Sequence, residues 1–391
     1  MTYELAASSW GPEELEAIQR VIDSDRFTMG PEVEAFEREF ADWHDMKYGV
    51  MVNSGSSANL VAVASLFFKQ DRPLQRGDEV IVPAISWSTT YHPLQQYGLK
   101  LRFVDVELDS INMDVSKLEH ALSPRTRLIV GVSILGNPCR MDTIRAFAER
   151  HGLYVLEDNC ESLGAELPDG RKTGTFGHVN TSSFFFSHHI ATMEGGMVLT
   201  NDAELHALLR ALRAHGWTRD VPEGVPIFDK RDDDFYEAYR FILPGYNVRP
   251  VEMSGAIGRE QVKKLPDSIA VRRRNLARFT ELFGGDDRFI IQREYGKSSS
   301  FSFPIILNPE RGIDRRRAQA ALNDADVRFR IVTGGCFPRH DAIRFFDYEI
   351  VGGIDNANTI HDNGLFIGNF PTDLTREIET AYRTLDQACR Q

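Results

Sequence analysis

Six short apolar runs, "DEVIVPA", "LKLRFVDV", "RLIVGVSI", "LYVLEDN", "SSFFFS" and "GMVLT", recur between residues 78 and 200. Helical patterns such as "MDTIRAFAERHG" and "DAELHALLRALRAHG" lie between or after them. Strands this apolar must be covered on both faces, which predicts an α/β domain with a largely parallel sheet. Upstream, "GVMVNSGSSANLVAVASLFF" (49–68) reads as strand, Gly/Ser turn and helix. Leu15, Ile18, Val21 and Ile22 fall at helical spacing behind Pro12, giving a helix over 11–24. From about residue 250 the pattern changes to a long helical stretch (251–283), then "SFSFPIIL" and a helix at 314–325. The expected division is a large domain over 1–248 and a smaller C-terminal α+β domain over 249–391. The polar segment 218–240 is expected to be a loop over the surface or a site entrance. The arginine runs 272–274 and 315–317 are expected on solvated helix faces.

The net charge of −12 argues against a nonspecific nucleic-acid binder, which needs clustered basic charge. It leaves room for a local phosphate pocket. Cys139, Cys160, Cys336 and Cys389 are far apart and form no CxxC pair, so a reduced, cytoplasmic setting is expected. The N-terminal stretch has no basic region followed by an apolar core, so no signal peptide is expected. No apolar run reaches the roughly 18 residues of a membrane span.

Four constellations could carry chemistry. In "NSGSSAN" (53–59) a strand ends and a helix begins behind small residues. Its free N–H groups, with the Ser56 and Ser57 hydroxyls, would hold an anion; an ordinary N-capped helix accounts for it equally. In "VLEDNCES" (155–162), Asp158 follows an apolar run, where open α/β sheets bind ligands. It would either pair with a cationic group or cap the next turn. In "SSFFFSHHIATMEGG", Ser182 and Ser183 begin an expected strand, and His188 and His189 follow it. Neutral imidazole can move protons near pH 7, but either histidine could equally be structural. No further metal ligand lies at fixed spacing. Met193 reads as packing. In "LPGYNVRPVEMSGAIGREQVKKL" (243–265), Asn247 and Arg249 lie in a Gly/Pro break before a helix, which could be no more than a helix-entry loop.

In this order, the four constellations resemble the DegT/DnrJ/EryC/StrS aminotransferases, the sugar-modifying branch of the fold-type-I pyridoxal phosphate enzymes. The resemblance spans roughly residues 5–385, and "SGSSAN", "EDNCESLGA", "SSFFFSHHIATMEGGMVLTND" and "GYNVRPVEMSGAIGREQVKKL" carry it. It implies an aspartate-aminotransferase-like fold, with a large cofactor-binding domain of mostly parallel central sheet. It also implies a homodimer whose active sites use residues of both subunits. Carried over by position, Asp158 would pair with the cofactor's pyridinium nitrogen. Ser56, Ser57 and Ser183 would hold its phosphate, and Trp87 in "ISWSTT" would stack on its ring. Asn247 would reach the phosphate of the neighbouring subunit. Glu161 falls where the family usually has Gln or His near the ring hydroxyl.

One departure decides the expected reaction. The family's aminotransferases place a lysine five residues after the strand serine and six before the Glu of "EGG", where it forms the internal Schiff base. Counting from Ser183 and back from Glu194 gives His188. This substitution resembles the pyridoxamine-dependent nucleotide-sugar 3-dehydratases, with a GDP-linked sugar as substrate and L-glutamate as amino donor. Imidazole cannot hold pyridoxal as a stable Schiff base, so the resemblance implies a cofactor held without a covalent bond and cycling through pyridoxamine phosphate. His188 would serve as base and then acid. A related group uses an iron–sulfur cluster, whose four thiolates the scattered cysteines do not provide. Ser187, His215, Arg219 and Arg330 are the candidate substrate contacts, Arg330 because its planar fork suits a carboxylate or phosphate. Two other readings compete: an aminotransferase with its lysine elsewhere, and an inactive cofactor-binding regulator. The intact Asp158, Ser183 and Asn247 argue against simple decay.

Overall fold

The computed structural model describes residues 2–221, 224–225 and 227–390. Seven strands form before residue 201: β1 (Tyr48–Val52), β2 (Glu79–Pro83), β3 (Lys100–Val104), β4 (Thr126–Val132), β5 (Tyr154–Asp158), β6 (Val179–Ser183) and β7 (Gly196–Thr200). Five follow: β8 (Phe289–Ile291), β9 (Ser302–Leu307), β10 (Phe329–Ile331), β11 (Tyr348–Ile350) and β12 (Gly364–Gly368). The large sheet runs β1-β7-β6-β5-β4-β2-β3-β11. All pairs from β6 to β11 are parallel, and β7 lies antiparallel to both β6 and β1.

Alternating side chains of these strands enter opposite cores, as strand geometry requires. Val80 and Val82 pack with Val63 and Leu66 of the helix Gly55–Phe67, while Ile81 between them packs with Met141, Ile144 and Phe147 of the helix Met141–His151. Burial on both faces is why these strands read as unbroken apolar runs. The aminotransferase-like fold expected from the sequence is the one observed.

The second sheet, β10-β12-β9-β8, is antiparallel. Phe279 and Phe283, near the end of the helix Glu252–Phe283, pack in its core with Leu385 and Ile378 of the helix Thr375–Cys389. The first half of that long helix instead contributes Val262 and Leu265 to a cluster with Phe36 and Phe184. Tyr3 bridges Val327 and donates its hydroxyl to the Gly368 carbonyl at 2.6 Å, so the chain start lies against this sheet. β11 returns to the edge of the large sheet. No helix among the described residues is long and apolar enough to cross a membrane.

Four local expectations need correction. "SSFFFS" is not a strand interior: β6 is "VNTSS", and it ends at Ser183, opposite Gly196. Phe184 is buried, but Phe185 and Phe186 are exposed beyond the strand. The polar β6 is tolerated because its side chains are used inside: Thr181 Oγ1 donates to Asn59 Oδ1 at 2.7 Å. Arg272 is buried, not solvated; its Nη1 donates to the Phe301 carbonyl at 3.1 Å and to the Asn369 carbonyl. Met193 is exposed, with φ +70°, and does not pack. Within 218–240, whose residues 222, 223 and 226 lie outside those described, Asp234–Glu237 forms a short helix.

Candidate active site

The parallel strands β4, β5 and β6 end at one cavity of about 500 Å³, a size suited to a small-molecule ligand. Its wall also takes residues from the start of the helix Gly55–Phe67, the loop after β6, and the β10 and β12 region of the second sheet. The site therefore lies between the two sheets.

Asp158 is the last residue of β5 and is almost fully buried. Its Oδ2 accepts from Asn59 Nδ2 at 2.9 Å and Thr90 Oγ1 at 2.7 Å, and its Oδ1 from the Cys160 N–H at 3.2 Å. Asn59 is itself held by Thr181, so the carboxylate orientation is fixed through two layers of hydrogen bonds.

The helix Gly55–Phe67 points its N-terminus at the same cavity. Ser54 is its N-cap, with Oγ accepting from the Ser57 N–H at 3.1 Å. Gly55 and Ser56 line the wall, facing Ser183 at the end of β6. A Cβ on Gly55 would stand 2.4 Å from Ser183 Cβ, so only glycine permits this approach. The Ser57 side chain is turned elsewhere, donating to Asn53 Oδ1 at 2.6 Å, and Ser57 is not on the wall.

Glu161 also lines the cavity. Its Oε2 accepts from the Leu135 N–H at 2.8 Å and Thr333 Oγ1 at 3.3 Å. Burial pushes its carboxyl up to about 7; the Leu135 N–H acts against this, and the nearby Asp158 adds to it.

His188 lines the cavity between the rings of Phe185 and Phe301, with centroids at 6.2 and 5.2 Å. Its Nδ1 is buried without a hydrogen-bond partner among the described residues. Burial, aided by the Arg272 guanidinium, lowers the imidazole to about 4, against the pull of the Phe185 carbonyl. The ring is therefore neutral at pH 7. His189 faces away: Nε2 meets the Ser299 carbonyl at 3.2 Å, an acceptor only, which places the ring hydrogen on Nε2. Among the described residues lining the cavity, none is a lysine.

Trp87, the exposed N-cap of the helix Ser88–Gln96, Ser187 and Arg330 also stand on the wall. Arg330 makes a hydrogen bond to the Phe329 carbonyl at 2.8 Å and no ion pair among the described residues. Asn247, His215 and Arg219 do not line it. Asn247 is exposed and accepts from Arg249 Nε at 3.0 Å. His215 is exposed with φ +64°, and Arg219 lies over the Trp217 ring at 5.3 Å. Sequence reasoning missed Asn59, Thr90 and Thr333, the residues that hold the two carboxyl groups. Asn59 and Thr90 sit inside the stretches "SGSSAN" and "ISWSTT"; nothing in sequence marks Thr333.

A GDP-4-keto-6-deoxy-D-mannose 3-dehydratase of Yersinia pseudotuberculosis is 49% identical to this chain, covering 98% of each protein. Two solved structures of GDP-4-keto-6-deoxymannose-3-dehydratase are 45% identical to it. One is an H188N variant with bound GDP-perosamine (TM-score 0.95, covering 98% of this chain and 100% of that one). The other holds a trapped PLP–glutamate geminal diamine (TM-score 0.96, with the same coverage). The profile of the DegT/DnrJ/EryC1/StrS aminotransferase family matches residues 9–380. With a profile match of that length and relatives this similar, the chain belongs to the DegT/DnrJ/EryC1/StrS aminotransferase family.

Proposed function

We propose that the protein is a pyridoxal phosphate-dependent lyase, a 3-dehydratase of GDP-4-keto-6-deoxy-D-mannose. L-glutamate charges the cofactor as pyridoxamine phosphate, and the products are GDP-4-keto-3,6-dideoxy-D-mannose and ammonia. The observation that carries this reading is a cavity wall with a histidine, His188, at the family's lysine position and no lysine among its described residues.

The cavity fits the cofactor. At one place a helix N-terminus, Ser56 and Ser183 converge, a cradle for a phosphate that a Cβ on Gly55 would fill. At another, the fixed carboxylate of Asp158 offers lone pairs to a ring N–H. Trp87 supplies an aromatic face. When bound, pyridoxamine phosphate supplies an amine that condenses with the sugar ketone and a ring that takes up electrons.

The remaining work falls to this chain's side chains. Asp158 would hold the ring N–H, and Glu161 would face the ring hydroxyl. Neutral His188 takes a proton at its imidazole and returns it to the departing C-3 hydroxyl, which leaves as water. Ser187 and Arg330 face the substrate from the wall. Ser57 shapes the phosphate turn through its N–H. Asn247 is exposed and off the wall, as a residue reaching the neighbouring site of a homodimer would be; His215 and Arg219, expected as substrate contacts, also lie off it. The division at 248/249 separates the phosphate and Asp158 elements from the turn that carries Thr333. A nucleotide-sugar substrate, glutamate and four free cysteines favour a cytoplasmic setting.

The test is incubation with pyridoxal phosphate, L-glutamate and GDP-4-keto-6-deoxymannose. The expected result is 2-oxoglutarate, ammonia and a sugar lighter by one oxygen atom. An amino sugar as product, or borohydride fixing the cofactor to a lysine, would sink the reading.

A further inference from the structure

Residues 333–335 hold three successive positive φ angles, +38°, +79° and +78°. The last two belong to glycines, which adopt this region freely; the first belongs to Thr333, a β-branched residue for which it is an outlier. Such strain persists only where the surroundings over-determine it, and it concentrates at functional sites. Thr333 is buried on the cavity wall, and its hydroxyl donates to Glu161 Oε2. The other donor to that oxygen, the N–H of Leu135, comes from a second non-glycine residue at positive φ, +52°. Leu135 follows β4 of the large sheet; Thr333 follows β10 of the small one. One carboxyl oxygen thus joins two strained turns, one following a strand of each sheet, on the cavity wall. No described residue hydrogen-bonds Glu161 Oε1.

We propose that Thr333 is a positioning residue that acts through Glu161: its hydroxyl fixes Oε2, so that Oε1 is presented to the ring of the bound cofactor. The seating of the cofactor is thereby coupled to the conformation of the Thr333-Gly334-Gly335 turn. With Oε2 taken by two donors, a proton on the carboxyl group resides on Oε1, which then donates to the cofactor. The raised proton affinity of Glu161 agrees with this. The proposal rests on the pyridoxal phosphate reading above.

The test reads the absorbance of pyridoxal phosphate bound to wild type, Thr333→Val, Thr333→Ser and Thr333→Gly across pH, together with cofactor retention on dialysis. Thr333→Val keeps the shape and removes the hydroxyl. It should move the midpoint of the pH-dependent spectrum by about 0.5–1 pH unit, the effect of one lost hydrogen bond, and weaken retention several-fold. Thr333→Ser should restore both. Thr333→Gly relieves the strain and should fold at least as well as wild type, yet show the same spectral shift. In a Glu161→Gln background, Thr333→Val should add nothing. A wild-type spectrum in Thr333→Val overturns the proposal, as does a full effect that persists in the Glu161→Gln background. A wild type that binds no pyridoxal phosphate instead overturns the cofactor reading itself.

Discussion

His188 and Asp158 show how one cavity can hold a neutral base and a fixed carboxyl group. His188 stays uncharged because burial and the buried Arg272 disfavour its cation. Asp158 is fixed because three donors converge on its two oxygens. Replacing His188 by Asn should leave cofactor binding intact and lower turnover by ~10²–10⁴-fold, the usual worth of general acid–base catalysis. Steady-state rates with dialysed, reloaded protein check this. His188→Lys should gain a borohydride-fixable bond to pyridoxal phosphate and lose dehydration. Asp158→Asn places an amide N–H₂ against donors already aimed at that position. It should weaken pyridoxal phosphate binding by at least about tenfold, measured by absorbance titration. His188 was legible in the sequence because its distances from Ser183 and Glu194 are local facts. Asn59 and Thr90 were not, because what they do depends on Asp158, 99 and 68 positions away.

At the scale of elements, the phosphate turn works because a helix start and a strand end approach within contact distance. Gly55→Ala should push these apart: its Cβ would meet Ser183 Cβ at 2.4 Å. Overpacking of this kind costs about 1–3 kcal/mol. The expected outcome is cofactor binding weakened by roughly tenfold or more with a helix content unchanged by circular dichroism; full retention of affinity would contradict the turn's assigned role. Element types were readable where burial is two-sided, as in β2 and β5. The end of β6 was not, because three phenylalanines imitate a strand while the true strand is polar. Its Asn180 and Thr181 are satisfied by Leu199 and Asn59, partners that appear only once the sheet and helix are assembled.

Over the whole molecule, acid stability should follow the fully and partly buried histidines. His44, His178, His188 and His206 are each lowered to about 4, mainly by burial. Each stays neutral in the fold and takes up a proton on unfolding between about pH 4 and the unperturbed ~6.5. Their stabilisation is complete above that window and is lost as pH falls through it. His44 is the cleanest probe, being fully buried, with Nδ1 donating to the Phe40 carbonyl at 2.9 Å. His44→Phe should flatten the urea-unfolding profile across this range by up to about 1.4 kcal/mol per pH unit, one proton's worth. An unchanged slope would show that His44 is not held neutral. The sequence by itself determined the α/β class, the order of the first seven strands, and the histidine at the lysine position, because periodicity and spacing are properties of neighbouring residues. Only the tertiary structure decided that Arg272 is buried, that Thr333 reaches Glu161, and that Ser57 turns away from the cavity. Each of those depends on which backbone carbonyls, hydroxyls and carboxyl groups the two sheets bring to one place, and no local pattern encodes that.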